Sequence, residues 1–185
     1  MELNVLSSRL APRPSDFSRT WVSSPPSLCK INVDANFKPT EFVAGLGAVI
    51  LDEEGHILGA QCSLANHVPP VFAAESLAAR WGLRFAHDLG IRQVILEGDA
   101  LTIIKKLQMR EEDLSEISAI IYDTKSLARD FQEFQLSFIP RSGNRVAHAF
   151  INERFSLSKD HAWIEEAPDH ILALIDEDRR YSDPP

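Results

Sequence analysis

Cysteine is scarce in this 185-residue chain: Cys29 and Cys62 are its only two. Two thiols support neither a disulfide framework nor a zinc site, and both read as reduced groups of an intracellular protein. Long apolar runs are missing as well. None approaches the ~18 residues of a membrane span, so no membrane partner is expected. The start, MELNVLSSRL, lacks the continuous apolar stretch of a signal peptide. A basic surplus is also absent: 19 Lys and Arg face 27 Asp and Glu, a net charge of −8, which is unusual for a nucleic-acid binder. That acidity is local, however. Residues 160–185 hold eight acids and two bases, so the rest of the chain carries only −2. Charge balance therefore does not exclude nucleic acid. What is present is a 44% hydrophobic fraction, enough for the core of one domain with tails.

Residues 1–29 carry seven Ser and four Pro without periodicity and read as a flexible leader. Order is expected from Lys30. KINVDANF alternates as a strand, FVAGLGAVILD is a second, Asp52–Gly55 a tight turn, and HILGAQCSL the third strand of a meander. The period then changes. Ala74, Leu77, Ala78, Trp81 and Phe85 mark one face of a helix from Val71 to Leu89, ended by Gly90. RQVILEGD is a short apolar strand of the buried parallel kind. A short helix over Ala100–Leu107 comes next. Asp113 and Glu116 read as a capping box for an amphipathic helix carrying Leu114, Ile117, Ile120, Ile121, Leu127, Ala128 and Phe131. FQLSFIP is a last strand, and Asn144–Phe155 a last core helix. Trp163, Ile164, Ile171, Leu172 and Ile175 predict a further amphipathic segment in a C-terminal region, 158–185. The order β-β-β-α-β-α-α-β-α predicts a mixed α/β sheet covered by helices.

Three acids stand where their neighbours do not explain them. Asp34 interrupts a strand, where aspartate is disfavoured. Glu75 lies at the edge of the apolar stripe of its helix. Asp99 ends an apolar strand just before a helix, at the carboxyl edge where α/β sheets bind ligands. Singly, they read as a turn residue, a boundary residue and a helix N-cap. Together, if the first and fourth strands are neighbours, they converge. Clustered carboxylates repel unless a cation sits among them, and all-oxygen ligands suit Mg²⁺ or Mn²⁺.

The ordered motifs INVDANF, GLGAVILDEEGHIL, AAESLAARWGLRFAHDLGIRQVILEGDA and FIPRSGNRVAHAF resemble the ribonuclease H-like domain of the plant, retroelement-related type. The resemblance covers about residues 30–157, and WIEEAPDHILALI resembles the segment C-terminal to the domain in plant members. It implies a five-stranded mixed sheet of order 3-2-1-4-5 flanked by helices, and hydrolysis of the RNA strand of RNA–DNA hybrids with two Mg²⁺ or Mn²⁺ ions. By the same resemblance, Asp34 bridges both ions while Glu75 and Asp99 each bind one. The fourth acid of the family falls at His148, which is read either as a ligand suited to Mn²⁺ or as a structural histidine. The mobile catalytic histidine of cellular relatives has no match in the short PRSGN loop. Their basic handle is missing too, since only MREED separates the middle helices.

For substrate, the small residues Ala35, Gly45 and Gly47 are expected to let a nucleic-acid backbone approach. Asn36, Ser76 and Asn144 are candidates for 2′-hydroxyl contacts, and Arg141 and Arg145 for phosphate. Lys105 and Lys106 read as a solvated face. The expected function is a metal-dependent hybrid endonuclease. The alternatives are an inactive module that binds nucleic acid and, more weakly, a scaffold that takes a protein partner through residues 162–175. On the last reading, deleting 160–185 would spare the fold. A monomer of the nucleus or cytoplasm is expected, and the leader's three arginines against two acids leave an organelle open.

Overall fold

Alternation makes the first strand the hinge of the architecture. In the computed structural model, which describes residues 24–68 and 71–182, strand β1 (Cys29–Lys38) sends Ile31 and Val33 to one face and Lys30, Asn32 and Asp34 to the other. Most of the expected leader, residues 1–23, lies outside the described residues. Strands β2 (Val43–Leu51) and β3 (Ile57–Asn66) complete an antiparallel meander. Its second turn is built by Asp52, whose Oδ1 accepts from the Glu54 and His56 N–H groups, with Gly55 at φ +79°. Helix α1 (Val71–Asp88) carries the chain back to β4 (Gln93–Gly98), which lies parallel to β1. Helices α2 (Leu101–Gln108) and α3 (Ser118–Ala128) lead to β5 (Glu133–Phe138), parallel to β4. A 3₁₀ turn (Arg141–Gly143) opens α4 (Arg145–Ser156).

The sheet order is β5-β4-β1-β2-β3-β6. The expected five-stranded order is present within it, and the count is corrected by a sixth strand, β6 (His161–Ile164), antiparallel to β3. The expected C-terminal amphipathic segment thus extends the sheet and closes on it with helix α5 (Asp169–Ser182). Ile171 and Ile175 are buried in a cluster with Val49, Leu51, Ala60, Val146, Ala147 and Phe150, and Trp163 stacks near Phe150 at 5.3 Å. The 162–175 segment therefore spends much of its apolar surface on the chain's own core, while Ile164 stays exposed. On the other face, Ile31, Val33, Leu83, Leu96, Ile103 and Ile121 build the larger core beneath α1, α2 and α3.

Two other expectations are corrected. Asp113 and Glu116 do not box the start of α3, whose N-cap is Ile117 without a side-chain hydrogen bond. Asp113 instead receives the Ser115 N–H and hydroxyl and the Lys106 ammonium at 2.7 Å, which ties the inter-helix loop to α2 and leaves Leu114 exposed. The room at Gly45 and Gly47 is filled by α4. A Cβ on Gly47 would stand 2.7 Å from the Ala147 carbonyl oxygen and 2.8 Å from Ile151 Cγ1, and one on Gly45 2.9 Å from Ile151 Cγ2. Gly47 thus admits the backbone of α4 and Gly45 the side chains of Ile151 and Phe155, not a nucleic-acid backbone. Gly47 pairs with Asp34 across the ladder, so the close approach at Ala147 brings the next residue, His148, down to Asp34.

Candidate active site

The three suspect acids meet. Asp34 sits in mid-β1, Glu75 on the second turn of α1, and Asp99 directly after β4. Each offers a carboxylate oxygen, and these oxygens lie within 4.8 Å of one another. Parallel pairing of β1 and β4 sets Asp34 beside the end of β4, because Val33 is in register with Gly98. Close packing of α1 on β1, where a Cβ on Gly82 would fall 2.6 Å from Val33 Cγ1, lowers Glu75 onto the pair. The N-cap reading of Asp99 does not hold: α2 is capped by Ala100, with no side-chain bond.

Asp34 is 1% exposed. Its Oδ1 accepts the Ala35 N–H at 2.9 Å, and its Oδ2 lies 2.9 Å from His148 Nδ1. Burial, then the Asp99 charge, pushes its pKa up, and His148 opposes them. Glu75 is raised further, from 4.5 to about 8, by burial first and then by the Asp34 and Asp99 charges, with Arg141 pulling the other way. Among the described residues, neither Glu75 nor Asp99 has a Lys or Arg ion-pair partner, and Asp34 pairs only with His148. A desolvated, mutually repelling set of hard oxygen donors with no Lys or Arg ion pair among the described residues fits a divalent ion such as Mg²⁺ or Mn²⁺.

These shifts give the fold a pH dependence. The folded state holds Glu75 protonated up to about pH 8 while the unfolded chain releases that proton near 4.5. The folded state binds more protons across this window, so stability falls as pH rises through it. Asp34 acts in the same direction. In EDTA, the melting temperature is expected to fall between about pH 5 and pH 8, less so in Glu75→Gln, and Mg²⁺ should restore it most at the upper end. Thermal melts in the two buffers check this, and identical slopes for Glu75→Gln and the parent would refute it.

The other expected site residues divide. Arg141 is exposed on the 3₁₀ turn, and its charge reaches Glu75. Asn36 is half-buried, two residues beyond Asp34 on the same face of β1. Ser76 and Asn144 are each 1% exposed and turned inward. The Ser76 hydroxyl donates to the Phe72 carbonyl at 2.7 Å, and Asn144 Nδ2 donates to the Val33 carbonyl at 2.8 Å. Their burial removes both side chains from the 2′-hydroxyl contacts expected of them. Arg145 points to α5, where it pairs with Asp178 at 2.5 Å and Glu177 at 3.2 Å. Arg145→Ala is accordingly expected to lower stability modestly and leave affinity for an RNA–DNA hybrid unchanged, whereas Arg141→Ala should weaken it severalfold and flatten its salt dependence. Fluorescence-anisotropy titrations at two salt concentrations separate the two.

Sequence reasoning missed Asn32, Glu97 and Asp178. Lys30 pairs with Glu97 at 3.1 Å, both side chains 6% exposed, and Asn32 Nδ2 donates to Glu97 Oε2 at 3.2 Å. A signal existed for two of them: Asn32 shares a face with Asp34, and Glu97 interrupts an apolar strand. Asp178 was one acid among eight.

Sheet order and acid geometry together define a ribonuclease H-like α/β domain. A family model described as reverse transcriptase-like matches residues 32–154, and the chain belongs to that family. It is the ribonuclease H-like domain of the plant, retroelement-related type. An Arabidopsis thaliana protein named for ribonuclease H is 26% identical over 164 residues, 85% of this chain. The chain spans about a quarter of that relative's length (25%). Among solved structures, ribonuclease H1 of the halophilic archaeon Halobacterium salinarum aligns at a TM-score of 0.63 with 22% identity, covering 69% of this chain and 97% of the other. The LC11 ribonuclease H1 isolated from compost, solved with an RNA/DNA hybrid, aligns at 0.60 with 20% identity over 68% of this chain and 94% of its own.

Proposed function

We propose that this chain is a metal-dependent endonuclease that hydrolyses the RNA strand of RNA–DNA hybrids. The convergence of Asp34, Glu75 and Asp99 within 4.8 Å carries the reading. These three carboxylates would hold the two Mg²⁺ or Mn²⁺ ions, with His148 as a further ligand through a ring nitrogen. Bound there, such ions would supply activation of water at neutral pH and charge stabilisation for the leaving oxygen. The chain's own groups orient and neutralise. The Ala35 N–H and His148 fix the Asp34 carboxylate. Arg141, whose charge already acts on Glu75, would meet a substrate phosphate. Asn36, on the Asp34 face, remains the side chain suited to a 2′-hydroxyl. Few basic groups predict salt-sensitive binding with little sequence preference.

One observation favours a second reading, a module that binds hybrid without cutting it. His148 Nδ1 lies 2.9 Å from Asp34 Oδ2, so a protein side chain already engages one oxygen of the central carboxylate. Cleavage of an end-labelled hybrid in Mg²⁺ and, separately, in Mn²⁺ decides between them. RNA-strand products that vanish in Asp34→Asn support the enzyme, and a Mn²⁺ preference supports His148 as a ligand. A folded protein that binds hybrid and yields no product in either metal is the module.

A further inference from the structure

Beneath the acid site, on the same face of β1, two buried amide oxygens lack a partner. Asn32 is 2% exposed and Asn144 1% exposed, and the Oδ1 atom of each accepts no hydrogen bond. Neither amide can be turned round to relieve this. Asn32 Nδ2 is held by the Glu97 carboxylate at 3.2 Å and Asn144 Nδ2 by the Val33 carbonyl at 2.8 Å. Both partners are acceptors here, a carboxylate oxygen of the Lys30–Glu97 pair and a backbone oxygen, so each NH₂ must stay where it is and each Oδ1 must face the other way. Leaving two such acceptors dry would cost stability at each.

Both residues line one small cavity of about 10 Å³, together with Leu51, Val146, Ala147 and Asp178. That is the room a single water molecule needs, and such a water requires two to four polar partners. Val146 and Ala147 belong to the first turn of α4, which has no side-chain cap. The leading N–H groups of a helix lack intrahelical acceptors. The cavity therefore offers two amide acceptors for the hydrogens of a water, and the uncapped start of α4 borders it.

We propose that this cavity is a permanent site for one water molecule, which donates to Asn32 Oδ1 and Asn144 Oδ1 and accepts from the first turn of α4. The water joins three elements. Asn32 lies two residues before Asp34 on β1. Asn144 lies one helical turn before His148 and already clamps the Val33 carbonyl. Asp178 closes the site from α5 and anchors Arg145, the first residue of α4. Asn32 and Asn144 thus act as positioning residues that lock α4, and with it the C-terminal helix, to the strand carrying the central acid. The inference is independent of the proposed catalysis, because it concerns only buried atoms of the resting protein.

The test is a high-resolution crystal structure of the full chain, paired with thermal melts of Val146→Ile. The expected result is an ordered water within hydrogen-bonding distance of both Oδ1 atoms. Filling an empty apolar cavity ordinarily raises stability. Here the added methylene should displace the water and strand two acceptors, so the melting temperature of Val146→Ile should drop by several degrees. An empty cavity in the parent, or a water that misses either Oδ1, overturns the proposal. So does a higher melting temperature in Val146→Ile. If that variant does not fold, the parent crystal structure alone decides.

Discussion

Asp34→Asn is expected to lower the rate of RNA-strand cleavage by at least about a hundredfold while leaving the fold intact. The reason lies in what the carboxylate does in the two states of the site. Without a cation, Asp34 is a buried anion, 1% exposed, beside Asp99 and close to Glu75. Its pKa is raised because burial and the Asp99 charge both disfavour ionisation. An amide of the same shape removes that cost and keeps an oxygen for the Ala35 N–H. The variant should therefore melt no lower than the parent in EDTA. In Mg²⁺ the order reverses, because the variant lacks the central charge that would offset a divalent ion, and the parent should gain stability by mass action where the variant does not. Cleavage assays and melts with and without metal test the two halves together. Full-rate cleavage by Asp34→Asn would remove this acid from the mechanism, and equal metal stabilisation of both proteins would remove the ion from the three carboxylates.

Deleting residues 160–185 is expected to destabilise the protein severely, contrary to what its acidic composition suggests. The deletion strips Ile171 and Ile175, 0% and 4% exposed, from the face of Val49, Leu51 and Phe150. Burial of a side chain of this size contributes roughly 1.5–3 kcal/mol, so these two alone, at about 3–6 kcal/mol, reach the lower end of the roughly 5–15 kcal/mol of net stability that a domain possesses. The deletion also removes β6 from the edge of β3. Asp160 goes with it, whose carboxylate receives the Ser63 hydroxyl at 2.6 Å, the Leu64 N–H at 3.0 Å and Arg154 Nε at 3.0 Å. Urea denaturation should show a midpoint lowered by a large fraction of the parent's, with exposed Phe150 promoting aggregation. An unchanged midpoint would mean that α5 merely rests on the sheet.

The local pattern determined most of the elements here. Strict alternation at Ile31, Val33 and Asp34, the 3.6-residue period from Ala74 to Phe85, and the apolar run of β4 each encode one element through near-neighbour spacing, which a single sequence displays directly. The acids were legible for the same reason: Asp34, Glu75 and Asp99 each break a local rule, and rule-breaking residues gather at functional sites. Three things were decided only by the tertiary structure. The glycines of β2 were read as room for a nucleic-acid backbone, because an absent Cβ records that something comes close without recording what; Ala147 and Ile151 of α4 fill the space. Arg145 and Asn144 sit within four residues of exposed Arg141, yet one turns to Asp178 and the other beneath β1, since a helical rotation of about 100° per residue sends neighbours to different surroundings. The apolar spacing of Ile171, Leu172 and Ile175 marked an amphipathic C-terminal segment. Only the fold showed what its apolar face meets: Ile171 and Ile175 of α5 join the cluster of Phe150 and Val49. Spacing along the chain sets the elements and flags the acids. Which side chain meets which across the sheet depends on contacts between residues more than a hundred positions apart, such as His148 with Asp34, and those exist only once the chain has folded.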